Sequence, residues 1–213
     1  MKFDIVLESI SKIENISLPG QGSHFKMVPP FRQELIKRQG EKIKNAKQSA
    51  VLALLYPDVM KETRIVLILR KAYEGVHSGQ ISFPGGRVEE HDNSLEHTAL
   101  RETYEEVGVP MENVHVIKTL TDVYIPPSNF FVQPFLGFSR SMPQFTRQED
   151  EVEEILEVRL LDLLNDDHLI TKSVSTSYKI NVEVPAFNLN GHVVWGATAM
   201  MLSEIKDLLK FAL

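Results

Sequence analysis

Three glutamates stand close together near the middle of the sequence, within residues 101–106. On a helix that advances by about 100° per residue, Glu102, Glu105 and Glu106 fall within one arc of roughly 100°. Arg101 lies at the edge of this arc, one turn before Glu105, where an i,i+4 ion pair can form. Carboxylate oxygens crowded in this way are the ligands that Mg²⁺ and Mn²⁺ prefer. A solvated acidic face is the ordinary alternative for an isolated pattern of this kind.

The helix that must carry these glutamates is predicted over about residues 94–107. Asn93 is a good N-cap residue, and Glu96, three positions later, completes a variant of the capping box. Gly108 is well placed as the C-cap. We expect one side of this helix to pack on a sheet, and that side is formed by Ala99, Leu100, Thr103, Tyr104 and Val107.

Two consecutive glycines precede this helix by a short acidic loop. Gly85 and Gly86 allow the backbone to approach another backbone or a ligand closely. The loop that follows contains Glu89, Glu90 and Asp92, whose oxygens can come near the helix glutamates. The segment is not a nucleotide P-loop, because the Gly-Lys-Ser/Thr ending is missing.

Short apolar runs rich in branched residues surround this centre and predict buried strands. They lie at about residues 49–56, 65–70, 80–83, 114–120, 131–138, 154–159, 178–184, 186–189 and 192–195. Asn190-Gly191 predicts a hairpin turn before the last of them. A short helix at 160–164 and an amphipathic helix at 197–211 complete the pattern. Strands mixed with helices in this way predict an α/β domain with helices on both faces of a mixed sheet.

The first 46 residues are predicted to be an N-terminal helical extension, followed by a single domain over residues 47–213. An amphipathic stretch at 3–13 and a basic helical stretch at 31–47 support this division. The extension is a candidate for a homodimer contact or for a cover over a pocket, and composition does not decide between the two.

Composition excludes several classes of protein. The net charge of -6 over 213 residues argues against a nucleic-acid binder, because no basic stripe is available for the phosphate backbone. No apolar run approaches membrane-spanning length. The sequence has no cysteine, which excludes disulfides and thiolate metal sites and agrees with a cytoplasmic location. Acidic residues stand where a signal peptide would have its apolar core.

The segment from Gly86 to Val109 resembles the Nudix box, the signature of a family of metal-dependent phosphoanhydride hydrolases. The matching residues are Gly86, Arg101, Glu102, Glu105, Glu106, Gly108 and Val109. Asp92 replaces the intermediate Glu of the box, the spacing from Asp92 to Arg101 is one residue longer than usual, and Thr103 replaces an aliphatic residue. The resemblance implies a Nudix-type α/β/α sandwich with a mixed sheet.

The lengthened box and its lead-in at residues 77–86, HSGQISFPGG, are similar to the coenzyme A diphosphatase subgroup of the family. Arg70 of the subgroup's pattern is kept, whereas Lys71 stands where Ser is usual and Gly75 where a second Arg is expected. The implied reaction is hydrolysis of coenzyme A or acyl-CoA to phosphopantetheine plus adenosine 3′,5′-bisphosphate. Hydrolysis of ADP-ribose, dinucleotides or nucleoside triphosphates stays open. So does an inactive nucleotide-binding regulatory domain, although the intact set of glutamates argues against it.

The resemblance also implies the roles of individual residues. Glu102, Glu106 and Glu105 are the expected ligands of Mg²⁺ or Mn²⁺. Glu105 is alternatively a base that orients the attacking water, Arg101 holds the glutamates, and Glu151 is a candidate for a further carboxylate from a later loop. The residues expected to bind the small nucleotide substrate are Arg70, His77, Gly85, Gly86 and Tyr124.

Overall fold

The computed structural model describes residues 1–29, 45–71, 79–174 and 182–213. The α-helices of these residues are α1 (Phe3–Glu8), α2 (Ile10–Asn15), α3 (Gln21–Phe25), α4 (Leu95–Val107), α5 (Leu160–Leu164) and α6 (Gly196–Ala212). The strands are β1 (Lys47–Pro57), β2 (Thr63–Arg70), β3 (Ile81–Ser82), β4 (Gly85–Arg87), β5 (His115–Thr119), β6 (Val123–Ile125), β7 (Phe130–Phe138), β8 (Val152–Arg159), β9 (Leu169–Val174), β10 (Val182–Leu189) and β11 (His192–Val194). Among the described residues, no helix is long and apolar enough to cross a membrane.

Strand β1 is the centre of an eight-stranded mixed sheet. The sheet order is β3-β2-β1-β7-β5, with β4 paired to β1, β6 to β7 and β8 to β2. Strand β1 runs parallel to β7 and antiparallel to β2 and β4. Its residues from Leu52 to Tyr56 are completely buried, which explains the continuous apolar run, because a strand covered on both faces needs apolar side chains at successive positions. Strands β9, β10 and β11 form a separate antiparallel sheet.

The side chains of β1 divide between two apolar cores, one on each face of the sheet. Ala53 and Leu55 lie in a core with residues of α1, α2 and α6. Leu52 and Leu54 lie in a second core with Ala99 of α4. Successive side chains of a strand point to opposite faces, so helices cover both sides of the sheet. The predicted α/β/α sandwich with a mixed sheet is confirmed.

Residues 1–29 pack on the side of the sheet opposite α4. Phe3, Val6 and Ile13 are buried in the same core as α6. Most of the basic helix that we expect at 31–47 lies outside the described residues, and β1 already begins at Lys47. The division between an extension and a domain after residue 46 stays a prediction, as does the homodimer.

A buried carboxylate joins α3 to α6. Glu204 has no solvent exposure, and its Oε2 lies 3.1 Å from Nε2 of the buried His24. The same carboxylate accepts hydrogen bonds from the backbone of Gly20 and from both the backbone and the hydroxyl of Thr121. Burial acts to raise the pKa of Glu204, but the hydrogen bonds from His24 and Thr121 outweigh it and lower that pKa below its usual value.

The N-cap of α4 differs from the prediction. Ser94 occupies the cap position, and its hydroxyl accepts a hydrogen bond of 3.0 Å from the backbone of His97. The capping box predicted at Asn93 is therefore wrong. The neighbouring Asp92 accepts a hydrogen bond from the hydroxyl of Thr98 in the first turn, so the loop before the helix also contacts its N-terminal end.

The C-terminal end of α4 and its buried face agree more closely with the sequence. Gly108 ends the helix in the left-handed conformation, with φ of 77°, and donates to the carbonyl of Tyr104, so the predicted C-cap is confirmed. Thr103 and Val107 are buried as predicted. Tyr104 is 54% exposed, so its predicted packing on the sheet is wrong: the buried face is rotated toward Glu106 instead.

Replacing Glu204 with Gln is expected to lower the free energy of unfolding by about 3 kcal/mol at neutral pH, because buried donors lose a charged acceptor. In the wild-type protein, a carboxyl with a depressed pKa contributes stability above the ordinary Glu pKa of about 4.3. That contribution disappears as the pH falls through the lower folded pKa. Urea unfolding at several pH values measures both effects.

The matched control is Lys210→Met, which removes an exposed ion pair to Asp166 from the same helix. Exposed pairs contribute little, so this variant should lose much less stability than Glu204→Gln. Equal losses in the two variants would contradict the role assigned to the buried carboxylate.

Candidate functional site

The three glutamates of α4 lie at different depths along one side of the helix. The side chain of Glu106 is 2% exposed, that of Glu102 13% and that of Glu105 51%. Because α4 packs against β1 and β4, Glu106 lies toward the sheet and Glu105 toward solvent. The predicted acidic arc is present, and it is more than a solvated surface.

The two glycines of β4 lie directly against these glutamates. The backbone N–H of Gly85 donates a hydrogen bond of 2.8 Å to Oε2 of Glu106. Gly85 has φ of 153°, a conformation that favours glycine, and a side chain there would lie 2.6 Å from Cα of Val51. A side chain at Gly86 would occupy the space of the Glu102 carboxylate. Both glycines are therefore needed for the glutamates to reach this position.

Arg101 connects the loop before α4 to the glutamates on it. The side chain is 7% exposed, and its Nε and Nη2 donate to the two oxygens of Asp92, both at 2.9 Å. Nη1 donates to Glu102 at 3.0 Å and to Glu105 at 2.9 Å, so the predicted i,i+4 pair is present. Nη2 also donates to the carbonyl of Arg87. One guanidinium thereby fixes two candidate metal ligands.

The sequence indicates that Asp92 lies in a loop near the helix glutamates and departs from the Nudix box, but it does not reveal that Asp92 pairs with Arg101. Its side chain has no solvent exposure and accepts hydrogen bonds from Arg101, from the hydroxyl of Thr98 and from the backbone of Glu89. These hydrogen bonds, first of all that from Arg101, hold the pKa of Asp92 well below its usual range. The longer spacing between Asp92 and Arg101 was the available signal, but only the fold shows that the two residues meet.

Arg70 and Glu151 reach the site from other parts of the chain. Nη1 of Arg70 lies 3.1 Å from Oε1 of Glu106, and its Nη2 lies 4.0 Å from Oε2 of Glu151. Nη1 also donates to the carbonyl of Gly85. Arg70 ends β2 and Glu151 immediately precedes β8, which pairs with β2. The pairing of these two strands brings the basic and the acidic side chain together.

The buried carboxylates of α4 are costly in their ionised form. Burial raises the pKa of Glu106 to about 7; Arg70 and the Gly85 N–H oppose the rise, while Glu102 and Glu151 add to it. Burial also raises the pKa of Glu102, although Arg101 opposes this rise. Ionised carboxylates held close together and away from water repel one another. A bound cation would relieve this repulsion.

The donor atoms suit a hard divalent metal ion. All of them are carboxylate oxygens, and Oε1 of Glu106 is buried without a hydrogen bond, although Arg70 forms an ion pair with it. In the described part of the chain, no three acidic or imidazole side chains already form a metal cage. Arg101 and Arg70 occupy several of the carboxylate oxygens, so metal binding would exchange some of these contacts.

The structure brings most of the predicted site residues together: Arg70, Gly85, Gly86, Arg101, Glu102, Glu105, Glu106 and Glu151. Tyr124 lies apart from them on β6, which β7 and β1 separate from β4 in the sheet. Its hydroxyl donates to Asn129, and its ring lies 6.3 Å from that of Phe131. His77 lies outside the described residues. The roles of both residues in substrate binding stay predictions.

Comparisons with known proteins identify the family of this chain. The NUDIX domain model matches residues 46–175. Nudix hydrolase NudL of Pectobacterium atrosepticum is 31% identical over 170 residues, which cover 74% of this chain and 82% of that protein. Mitochondrial coenzyme A diphosphatase NUDT8 of Homo sapiens is 34% identical over 136 residues, which cover 63% of this chain and 58% of that protein. Peroxisomal coenzyme A diphosphatase ndx-8 of Caenorhabditis elegans is 29% identical over 167 residues, which cover 78% of this chain and 68% of that protein.

Solved structures show the same fold at lower sequence identity. A MutT/nudix family protein from Enterococcus faecalis aligns with a TM-score of 0.52 at 19% identity and covers 78% of this chain and 62% of its own. The Nudix hydrolase RenU from M. smegmatis aligns with a TM-score of 0.53 at 16% identity, and the alignment covers 78% of this chain and 87% of RenU. The chain therefore belongs to the Nudix family, and it is an enzyme of the Nudix hydrolase class.

Replacing Gly86 with Ala is expected to reduce divalent-metal affinity and turnover by about 10- to 100-fold, because the added methyl group displaces the Glu102 carboxylate. The free energy of unfolding should change by less than about 1 kcal/mol, since the end of the Glu102 side chain can move. Gly22→Ala is the matched control, because nothing lies within 4 Å of the added methyl group. Metal titration, turnover and urea unfolding are compared, and an unchanged metal affinity in Gly86→Ala would refute the assignment.

Proposed function

We propose that this Nudix hydrolase uses Mg²⁺ or Mn²⁺ to cleave the diphosphate of coenzyme A or acyl-CoA, with phosphopantetheine and adenosine 3′,5′-bisphosphate as products. The observation that carries the proposal is the meeting of Glu102, Glu106 and Glu151 with Arg70 beside the Gly85 backbone. Carboxylate oxygens are ligands that divalent cations prefer, and an arginine beside them can bind a phosphate oxygen. The arrangement therefore suits a diphosphate that is bound together with divalent cations. Two relatives carry the name coenzyme A diphosphatase, which supports the choice of substrate.

Each residue of the site has a proposed role. Glu102, Glu105 and Glu106 hold the metal ions, which when bound would screen the phosphate charge and lower the pKa of a water. Arg101 acts through the glutamates, because its hydrogen bonds fix their carboxylates. Arg70 contacts a phosphate oxygen of the substrate.

The hydrolytic step transfers one water across the anhydride bond. A water oxygen bonds to one phosphorus, the P–O bond to the leaving phosphate breaks, and a carboxylate oxygen takes the proton that the water loses. Glu151 is the proposed proton acceptor, because its side chain is 58% exposed and Arg70, its nearest cation in the described part of the chain, is 4.0 Å away. Glu105 is the alternative acceptor, although one of its oxygens already accepts from Arg101.

A second candidate function is hydrolysis of ADP-ribose, dinucleotides or nucleoside triphosphates. Lys71 and Gly75 depart from the residues usual in the coenzyme A subgroup, and this departure favours the second candidate.

The expected cytoplasmic location is also a proposal, since the relatives named above include a mitochondrial and a peroxisomal protein.

A substrate panel separates the candidates. The purified chain is incubated with coenzyme A, NADH, ADP-ribose or dGTP, in the presence of Mg²⁺, Mn²⁺ or EDTA, and products are separated by chromatography. We expect adenosine 3′,5′-bisphosphate from coenzyme A only when a metal ion is present. Turnover of another substrate with coenzyme A left intact would favour the second candidate. Nucleotide binding without any turnover would contradict both.

Replacing Glu105 or Glu106 with Gln should reduce turnover by about 10²-fold or more, because metal-assisted charge stabilisation contributes several kcal/mol and each 1.4 kcal/mol is about tenfold. The melting temperature in EDTA should stay near the wild-type value, since Gln has the same shape and burying a charge is unfavourable. Glu96→Gln, an exposed residue in the first turn of α4, is the control with unchanged turnover. Wild-type turnover in both site variants would refute the site.

A further inference from the structure

The loop between β7 and β8 is docked onto the C-terminal end of α4. Its residue Thr146 donates a backbone hydrogen bond of 3.0 Å to the carbonyl of Val107, and Gln148 donates one of 3.1 Å to the carbonyl of Glu106. The last carbonyls of a helix have no partner inside the helix, so the loop satisfies two of them. Gly108 makes the approach possible, because a side chain there would lie 2.9 Å from Cβ of Thr146.

The side chain of Gln148 organises the rest of this loop. Its Oε1 accepts hydrogen bonds from the backbone of Asp150 and, at 3.1 Å, from the backbone of Glu151. Its own carbonyl accepts from the backbone of Val152 at 2.9 Å, where β8 begins. One residue is thus bonded to the helix through its backbone and to Glu151 through its side chain.

Glu151 depends on this backbone for its position. Its carboxylate is 58% exposed, and among the described residues its nearest cation, Arg70, is 4.0 Å away, so this ion pair holds it only weakly. Its backbone is held on both sides: the N–H by Gln148 and the carbonyl by the N–H of Lys71.

We propose that Gln148 is a positioning residue, which fixes Glu151 beside the carboxylate cluster, where the negative charge of Glu151 strengthens the binding of the divalent cations that Glu102, Glu105 and Glu106 hold. The proposal rests on the site proposed above and adds a residue that neither the Nudix box nor its flanking motifs include. Gln148 acts through the two amides that its Oε1 accepts and touches neither metal nor substrate.

The test measures Mn²⁺ affinity by electron paramagnetic resonance of the free ion, with turnover as a second readout. Glu151→Gln should weaken Mn²⁺ binding, and Gln148→Met, which keeps the length of the side chain but removes the acceptor, should weaken it by about 10-fold or more. Gln148→Asn should restore much of the affinity, because Asn side chains readily accept from the backbone two residues on. Gln144→Met, at an exposed position of the same loop, should bind Mn²⁺ like the wild-type protein.

The double variant decides whether Gln148 acts through Glu151. If it does, Gln148→Met combined with Glu151→Gln binds Mn²⁺ no more weakly than Glu151→Gln alone. Losses that multiply in the double variant, wild-type affinity in Gln148→Met, or a Gln148→Asn variant as weak as Gln148→Met would each overturn the proposal. Melting temperatures in EDTA verify that every variant is folded at the temperature of the titration.

The Mn²⁺ titration requires no substrate, so it separates this proposal from the proposed function. A chain that leaves coenzyme A intact but shows the expected pattern of Mn²⁺ affinities would contradict the substrate and support the role of Gln148. If the chain cleaves coenzyme A while Gln148→Met keeps the wild-type affinity for Mn²⁺, the proposed substrate is supported and the role of Gln148 is contradicted.

Discussion

The acidic site depends on one buried guanidinium group. Arg101 donates to the carboxylates of Asp92, Glu102 and Glu105 and to the carbonyl of Arg87. A buried charge is tolerated when it is paired and hydrogen-bonded, and here the pairing joins the loop before α4, strand β4 and the helix itself. Since the guanidinium is planar and its donors have fixed directions, the carboxylates are oriented by the protein before any ligand arrives.

The deepest carboxylate shows what this arrangement costs. Glu106 is buried between α4 and β4, where Arg70 and the Gly85 N–H only partly compensate for its lost hydration. A packed apolar residue would avoid this cost. A fold that keeps a poorly compensated charge at the meeting point of two strands and a helix is typical of a functional site. The two glycines of β4 belong to the same constraint, because a side chain at Gly85 would collide with the backbone of β1 and one at Gly86 with the carboxylate of Glu102.

Local patterns predicted much of this architecture, and contacts between distant residues account for most of what they missed. The apolar runs identified β1, β2 and β7, and Asn190 and Gly191 both have the positive φ that the predicted hairpin turn requires. The helical period placed the three glutamates of α4 on one arc. Strands β4 and β6 have three residues each, too few for a period to be recognised, and β9 is largely exposed, with no buried face to impose an apolar alternation. The ion pair of Arg70 with Glu106 depends on where β2 ends beside β4, which no local pattern contains.

The buried carboxylate between α3 and α6 has a consequence for the order of folding. Glu204 follows His24 by 180 residues in the sequence, and the backbone of Gly20 also uses it as an acceptor. During synthesis, residues 1–29 emerge before α6, so they lack this partner until α6 has been made. The strands and helix that carry the acidic cluster lie between these two segments and can assemble earlier. We therefore expect the face of the sheet that carries the acidic cluster to form first, and the opposite face to be completed when the two distant segments meet.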